Sequence, residues 1–97
     1  MVTMNLRETI EDLIKDMKLA KDYLVGDAYY YAEELIEKAY KVIENITVED
    51  KAILGMLSRA KEQLFYALQF VRTRSKVSAY SLLEDVIKTL KEILVIL

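Results

Sequence analysis

The chain has no proline, no cysteine and no histidine, and only two of its 97 residues are glycine. Each absence excludes something. Without proline, no helix is interrupted by a residue that lacks an N–H and crowds the preceding turn. Without cysteine there is neither a disulfide framework nor a thiolate site. Without histidine, the commonest metal ligand and the commonest general acid–base go missing together. Only carboxylates remain for a hard cation. The apolar run at residues 93–97 falls far short of the roughly 20 residues that a membrane span needs. Residues 1–10, MVTMNLRETI, lack a basic segment followed by an apolar one, so no signal peptide is expected. The expected location is the cytoplasm, with no membrane partner. Scarce Asn and Gln beside the missing Cys also fit a thermophile.

What is present is apolar and charged. Hydrophobic residues make up 54%, rich for a soluble monomer, so either the core is generous or a partner covers apolar surface. The length suits one domain, residues 1–97, burying about two-thirds of the surface its unfolded chain exposes. The net charge of −2 is unevenly spread. Residues 1–50 hold six Lys/Arg against twelve Asp/Glu, or −6, and residues 51–97 hold eight against four, or +4. Such an asymmetry fits two different faces, or two hairpins that attract each other.

Four segments repeat an apolar spacing of +4, +3, +4, +3, +4. They are Leu6, Ile10, Leu13, Met17, Ala20, Leu24; Ala28, Ala32, Leu35, Ala39, Val42, Ile46; Ile53, Leu57, Ala60, Leu64, Ala67, Val71; and Ala79, Leu83, Val86, Leu90, Ile93, Leu97. The period is helical, and a mean step of about 3.5 suits shallow-angle packing in a left-handed bundle. The punctuation agrees. Asn5 with Glu8 has capping-box spacing. Gly26 can take the left-handed conformation that closes a helix, and Asp27 can cap the next one. Thr47 with Asp50 starts a third helix, and Ser78 or Ser81 starts a fourth. Gly55 lies inside the third and fits a kink, a late start or a close contact. The spacing therefore predicts an all-α, antiparallel, up-down four-helix bundle. Its helices cover about residues 5–25, 27–45, 48–72 and 79–96, with short connections between sequential neighbours. The shared period by itself is no evidence of duplication.

Three groups of residues are candidates for function. In the run Tyr29-Tyr30-Tyr31, successive side chains point about 100° apart, so at least one ring is left exposed. Tyr29 and Tyr30 form an aromatic surface, read either as a stacking platform for a base or as packing with phenol tips in water. Arg72, Arg74 and Lys76 are the densest basic cluster. They fit a phosphate or nucleic-acid contact, or cations that complement a helix C-terminus. The acidic groups Glu8/Glu11/Asp12 and Glu33/Glu34/Glu37 read as solvated helix faces, because a carboxylate bundle site wants inward acids with a histidine. No P-loop, dinucleotide fingerprint or nucleophile–base pair is present. No catalytic residue, metal or cofactor is expected, and no enzyme activity. Outside the stripes, the last two helices still carry Leu54, Phe65, Leu68, Phe70, Leu82, Ile87, Leu94, Val95 and Ile96. A helix that is apolar nearly all round is buried nearly all round. Phe65, Phe70, Leu82, Ile87, Leu94, Val95 and Ile96 are therefore the expected interface of a homodimer or of a complex with another protein.

Residues 19–41, LAKDYLVGDAYYYAEELIEKAYK, resemble the front half of HEPN-type helical domains. Such domains have an alanine-bearing helix, a short turn with glycine, and an aromatic-bearing helix that ends here in Lys38-Ala39-Tyr40-Lys41. Residues 70–77, FVRTRSKV, look like the place where HEPN ribonucleases keep arginine, a polar residue and then histidine. Arg72 matches the arginine, Thr73 takes the polar place, and Val77 stands where the histidine would be. The resemblance implies a bundle that often dimerises through its helices, in a member without the family's metal-independent ribonuclease chemistry. Arg72 then remains as an RNA or nucleotide contact or as a helix end. The expected function is a non-catalytic, self-associating interaction module or adaptor, with a nucleic-acid-processing complex as one setting for it. The alternative is a weak nucleic-acid or nucleotide binder that uses the basic turn.

Overall fold

A computed structural model describes residues 5–97. Residues 1–4, part of the stretch without a signal-peptide pattern, lie outside the described residues. Four helices follow in order: α1 (Leu6–Val25), α2 (Tyr29–Glu44), α3 (Lys51–Arg72) and α4 (Lys76–Ile96). α1 and α3 each pack against both α2 and α4, and the diagonal pairs do not meet, so the helices form a closed ring. The directions alternate. Arg7 near the start of α1 donates to the Leu94 and Leu97 carbonyls at the end of α4, whereas Lys76 at the start of α4 pairs with Asp27 just past α1. This is the expected up-down bundle.

Local chemistry sets the helix limits. The Asn5 side chain accepts from the Glu8 N–H at 2.8 Å, and its amide donates to the Glu8 carboxylate at 3.1 Å. Asp50 caps α3 by accepting from the Ile53 N–H at 3.0 Å, while Thr47 lies in the link before it. The two tight turns share one design. At the end of α1 the Asp27 N–H donates to Leu24 O and the Ala28 N–H to Tyr23 O; at the end of α3 the Arg74 N–H donates to Val71 O and the Ser75 N–H to Phe70 O. Both are Schellman closures. The left-handed residue is Asp27 (φ 61°) in one and Arg74 (φ 58°) in the other. Gly26, expected in that role, has φ −87° and sits one residue earlier. Asp27 makes no capping bond to α2, because its carboxylate is turned to Lys76. α4 starts at Lys76 instead of residue 79, since the closure at Ser75 leads straight into helix and neither Ser78 nor Ser81 is needed as a cap.

The core follows the predicted stripes in α1, α3 and α4, with Ile14 and Ile87 added, Leu6 only half-buried and Leu97 left outside. In α2 the stripe is rotated: Ile36 and Ile43 are buried, whereas Leu35 and Val42 are only half-buried. Inward from each turn the side chains alternate in size. Leu24, Ala20, Met17 in α1 and Val71, Ala67, Leu64 in α3 run large, small, large; Ala32, Ile36, Ala39 in α2 run the other way, and α4 begins likewise with Ala79 and Leu83. Counted inward from the turns, large residues of α1 and α3 thus match small ones of α2, which lets layers interdigitate at interior density. Asp27 and Arg74 are 47 positions apart, and the same offset carries Leu24 to Val71, Ile36 to Leu83 and Ile43 to Leu90. The two hairpins are therefore structural repeats of each other. Thr89, only 3% exposed, is the one buried polar side chain among the described residues. Its hydroxyl lies 3.0 Å from both the Asp85 carbonyl and the Gln63 side-chain oxygen, either of which can accept its proton.

Gly55 lies within an unbroken α3, and a Cβ built there meets nothing within 4 Å. Neither a kink nor a close contact within the chain explains it. Gly55→Ala should stabilise the bundle by about 0.5–1 kcal/mol in urea unfolding, from helix propensity and a less flexible unfolded chain.

Candidate functional site

The two tight turns lie together at one end of the bundle, and this brings the basic cluster against the start of α2. Arg72, in the last turn of α3, donates from Nε to Glu33 Oε1 and from Nη2 to Glu37 Oε1, each at 2.8 Å. One turn of α2 separates these two carboxylates, so the guanidinium bridges them from the side. Those partners, with the Glu33 hydrogen bond foremost, raise the Arg72 pKa above its ordinary value. The Arg74 guanidinium lies over the Tyr29 ring at 4.8 Å. Lys76 pairs with Asp27, whose hydrogen bond is the main cause of a raised lysine pKa. Under the 47-position offset, Asp27 with Lys76 maps onto Arg74 with Tyr29, so the two contacts are equivalents. Thr73 donates to Phe70 O at 3.2 Å and shares a hydrogen bond with Ser75 at 3.0 Å. Val77, in the first turn of α4, is 83% exposed.

The sequence thus brought Arg72, Arg74 and Lys76 to one place, but each already has an intramolecular partner there. Lys21 with Glu84 adds another contact between the hairpins, whereas Lys38 with Asp16 and Arg59 with Glu92 stay within one hairpin. The acidic first half and basic second half therefore meet largely across the hairpin interface. Single exposed pairs of this kind contribute about 0–1 kcal/mol each, so they orient the hairpins more than they hold them. Among the described residues, no group of three or more His, Cys, Asp or Glu is arranged to hold a metal. No helix among them is long and apolar enough to cross a membrane.

The expected interface separates into three environments. Ile87 is 7% exposed, buried where α4 meets α1 in a groove that Lys18, Lys21 and Lys91 also line. It is core and is not available to a partner. Phe70, Leu82 and Leu94 are half-buried against the core. Phe65, Val95 and Ile96 are exposed by 47%, 84% and 48%. Tyr66, which the sequence reading did not select, meets Phe65 edge to face at 5.5 Å and is equally open. Outward on α3 lie Leu54, Gly55, Ser58, Arg59, Glu62, Phe65, Tyr66 and Gln69. Between the charged ends of α3, at Lys51 and Arg72, Arg59 and Glu62 are the only exposed charges, and Arg59 pairs with Glu92.

The aromatic run also divides differently. Tyr29 is half-buried beneath Arg74, whereas Tyr30 and Tyr31 are open. Tyr31 stands 5.3 Å from Tyr23 of α1. The adjacency of α1 and α2 was the available signal: one turn before the hairpin and one turn after it share a side. A hydrogen bond to the Glu34 side chain, with that carboxylate's charge, holds the Tyr30 phenol above its ordinary pKa. Comparison with protein-family models, curated proteins and solved structures gives no match for this chain.

Proposed function

We propose that this chain is a non-catalytic interaction module that self-associates through the outer face of α3, with the exposed end of α4 alongside. One observation carries the reading. The core is complete within one chain and leaves no buried side-chain N or O without a partner among the described residues. Even so, the outward side of α3 presents Leu54, Phe65 and Tyr66 and is the poorest in charge. Exposed aromatics held edge to face, close to the middle of a low-charge strip, are the composition of an interface centre. A helix of 22 residues is about 33 Å long, enough to carry much of the roughly 800 Å² per partner that a standard interface buries. The resemblance to HEPN-type domains favours the same kind of module, with Val77 in the histidine's place and no acid–base residue to run a ribonuclease. A cytoplasmic role, as an adaptor beside nucleic-acid-processing partners, fits this reading. Nucleic-acid binding through Arg72, Arg74 and Lys76 would first have to displace Glu33, Glu37, Tyr29 and Asp27, and is the weaker reading.

Sedimentation equilibrium tests it. The wild type should be a reversible dimer at high micromolar concentration. Phe65→Glu with Tyr66→Glu should weaken the dimer by about 30-fold or more, as the loss of an aromatic hot spot does. A wild type that stays monomeric throughout, or a double variant that associates equally well, overturns the proposal.

A further inference from the structure

The bundle treats its tyrosines in a consistent way. Arg74 lies over Tyr29 at 4.8 Å, Lys21 over Tyr80 at 4.8 Å and Lys61 over Tyr40 at 5.8 Å, so three rings each receive a cation from a neighbouring helix or turn. Tyr66 is occupied edge-on by Phe65. The other three of the seven tyrosines, Tyr23, Tyr30 and Tyr31, form a single cluster over which no Lys or Arg lies among the described residues. Tyr23 and Tyr31 are tilted by 30° at 5.3 Å, and Tyr30 stands at 77° to Tyr31 at 5.8 Å, so two of the rings make a corner. Tyr30 and Tyr31 are 67% and 55% exposed.

Beside this corner Glu34 is a carboxylate that makes no ion pair among the described residues. Glu34 stands one helical turn after Tyr30, whereas Glu33 in the same turn is tied to Arg72 and Asp27 in the adjoining loop to Lys76. Lys38, further down the α1–α2 side, is tied to Asp16 at 3.6 Å. Phosphates would be repelled here, which argues against the base-stacking platform that the tyrosine run suggests. A cation would be attracted twice, by the ring faces and by the Glu34 carboxylate.

We infer that Tyr23, Tyr30, Tyr31 and Glu34 form a binding site for a cationic side chain, an arginine in an extended segment of another protein. Arginine fits better than lysine, because a planar guanidinium stacks on one ring while its fork reaches a carboxylate, as Arg72 and Arg74 do separately at the other side of α2. The site is separate from the α3 face and does not depend on self-association.

An amide NMR titration with capped tetra-arginine at physiological salt tests this. Shifts should centre on Tyr23, Tyr30, Tyr31 and Glu34, and capped tetra-lysine should bind more weakly. Tyr30→Leu with Tyr31→Leu keeps the charge and the helix and should weaken binding about tenfold, while the double Phe variant, which keeps both ring faces, should stay within about twofold. Shifts centred elsewhere, equal binding by the Leu variant, or loss in both variants would overturn the site. A single-stranded RNA decamer that perturbs these tyrosines where tetra-arginine does not would also overturn it.

Discussion

Leu83→Ala should lower the stability of the bundle by about 3 kcal/mol, within the 2–5 kcal/mol range for a buried leucine cut to alanine. Leu83 is fully buried and comes between Ala79 and Val86 on α4, where its neighbours in sequence on the core side are smaller. Those smaller residues cannot grow into the space. The loss therefore includes a cavity as well as the transfer of the missing carbons. Against a total of about 5–15 kcal/mol for a domain, this is a large fraction. At 4–8 °C per kcal/mol for a chain of this size, the melting temperature should fall by about 12–24 °C. Calorimetry or urea unfolding measures it. Ile36→Ala, at the equivalent position of the first hairpin, should behave alike. A loss below about 1 kcal/mol at both positions would mean that the layers collapse freely and that the size alternation does not hold.

The opposite change should fail for the complementary reason. Ala67→Leu adds three carbons at a fully buried position of α3 between Leu64 and Val71. Ala67 is fully buried in the same core cluster as Ile36 of α2 and Leu83 of α4, the two helices that flank α3, so the larger side chain has no free space to enter. A cost of about 1–3 kcal/mol is expected from off-rotamer side chains and helix displacement. Ala20→Leu, 47 positions earlier in α1, should cost a similar amount. The contrast with Gly55→Ala makes the test sharp, since both enlarge a small residue on the same helix and the two should have opposite signs. A neutral Ala67→Leu would show that the interior is looser than the alternation implies.

Much of the fold was legible because the information was local. The stripes of α1, α3 and α4, the Asn5 cap and the short connections all depend on residues within a few positions of one another. What could not be read depended on tertiary packing. α2 carries two competing apolar stripes, one through Leu35 and Val42 and one through Ile36 and Ile43, and only the approach of α1 and α3 selects the second. Gly26 looked like the left-handed residue, yet the closure falls one position later, on Asp27, with Lys76 waiting on the far turn. The basic cluster at Arg72, Arg74 and Lys76 looked unpartnered because its partners, Glu33, Glu37, Tyr29 and Asp27, lie at least 35 positions away in sequence. Ile87 looked surplus for the same reason, since closing the ring between α1 and α4 gives it a buried place. Phe65, Val95 and Ile96 keep the surplus that the composition announced.

These placements change what the chain can offer a partner. A charged turn whose cations are matched is a joint between hairpins. The unmatched features lie elsewhere: an aromatic strip on α3 and a tyrosine corner where α1 meets α2. Both readings need a bundle that stands on its own once α3 is bare. Hydrogen exchange on the monomeric Phe65→Glu, Tyr66→Glu variant tests that need most directly. The account predicts that amides at Met17, Ile36, Leu64 and Leu83 exchange together and only through global unfolding, as strongly protected in the monomer as in the associated wild type after correction for association. Rapid exchange confined to α3 and α4 once the chains separate would contradict it, because the core would then be completed only by a second chain.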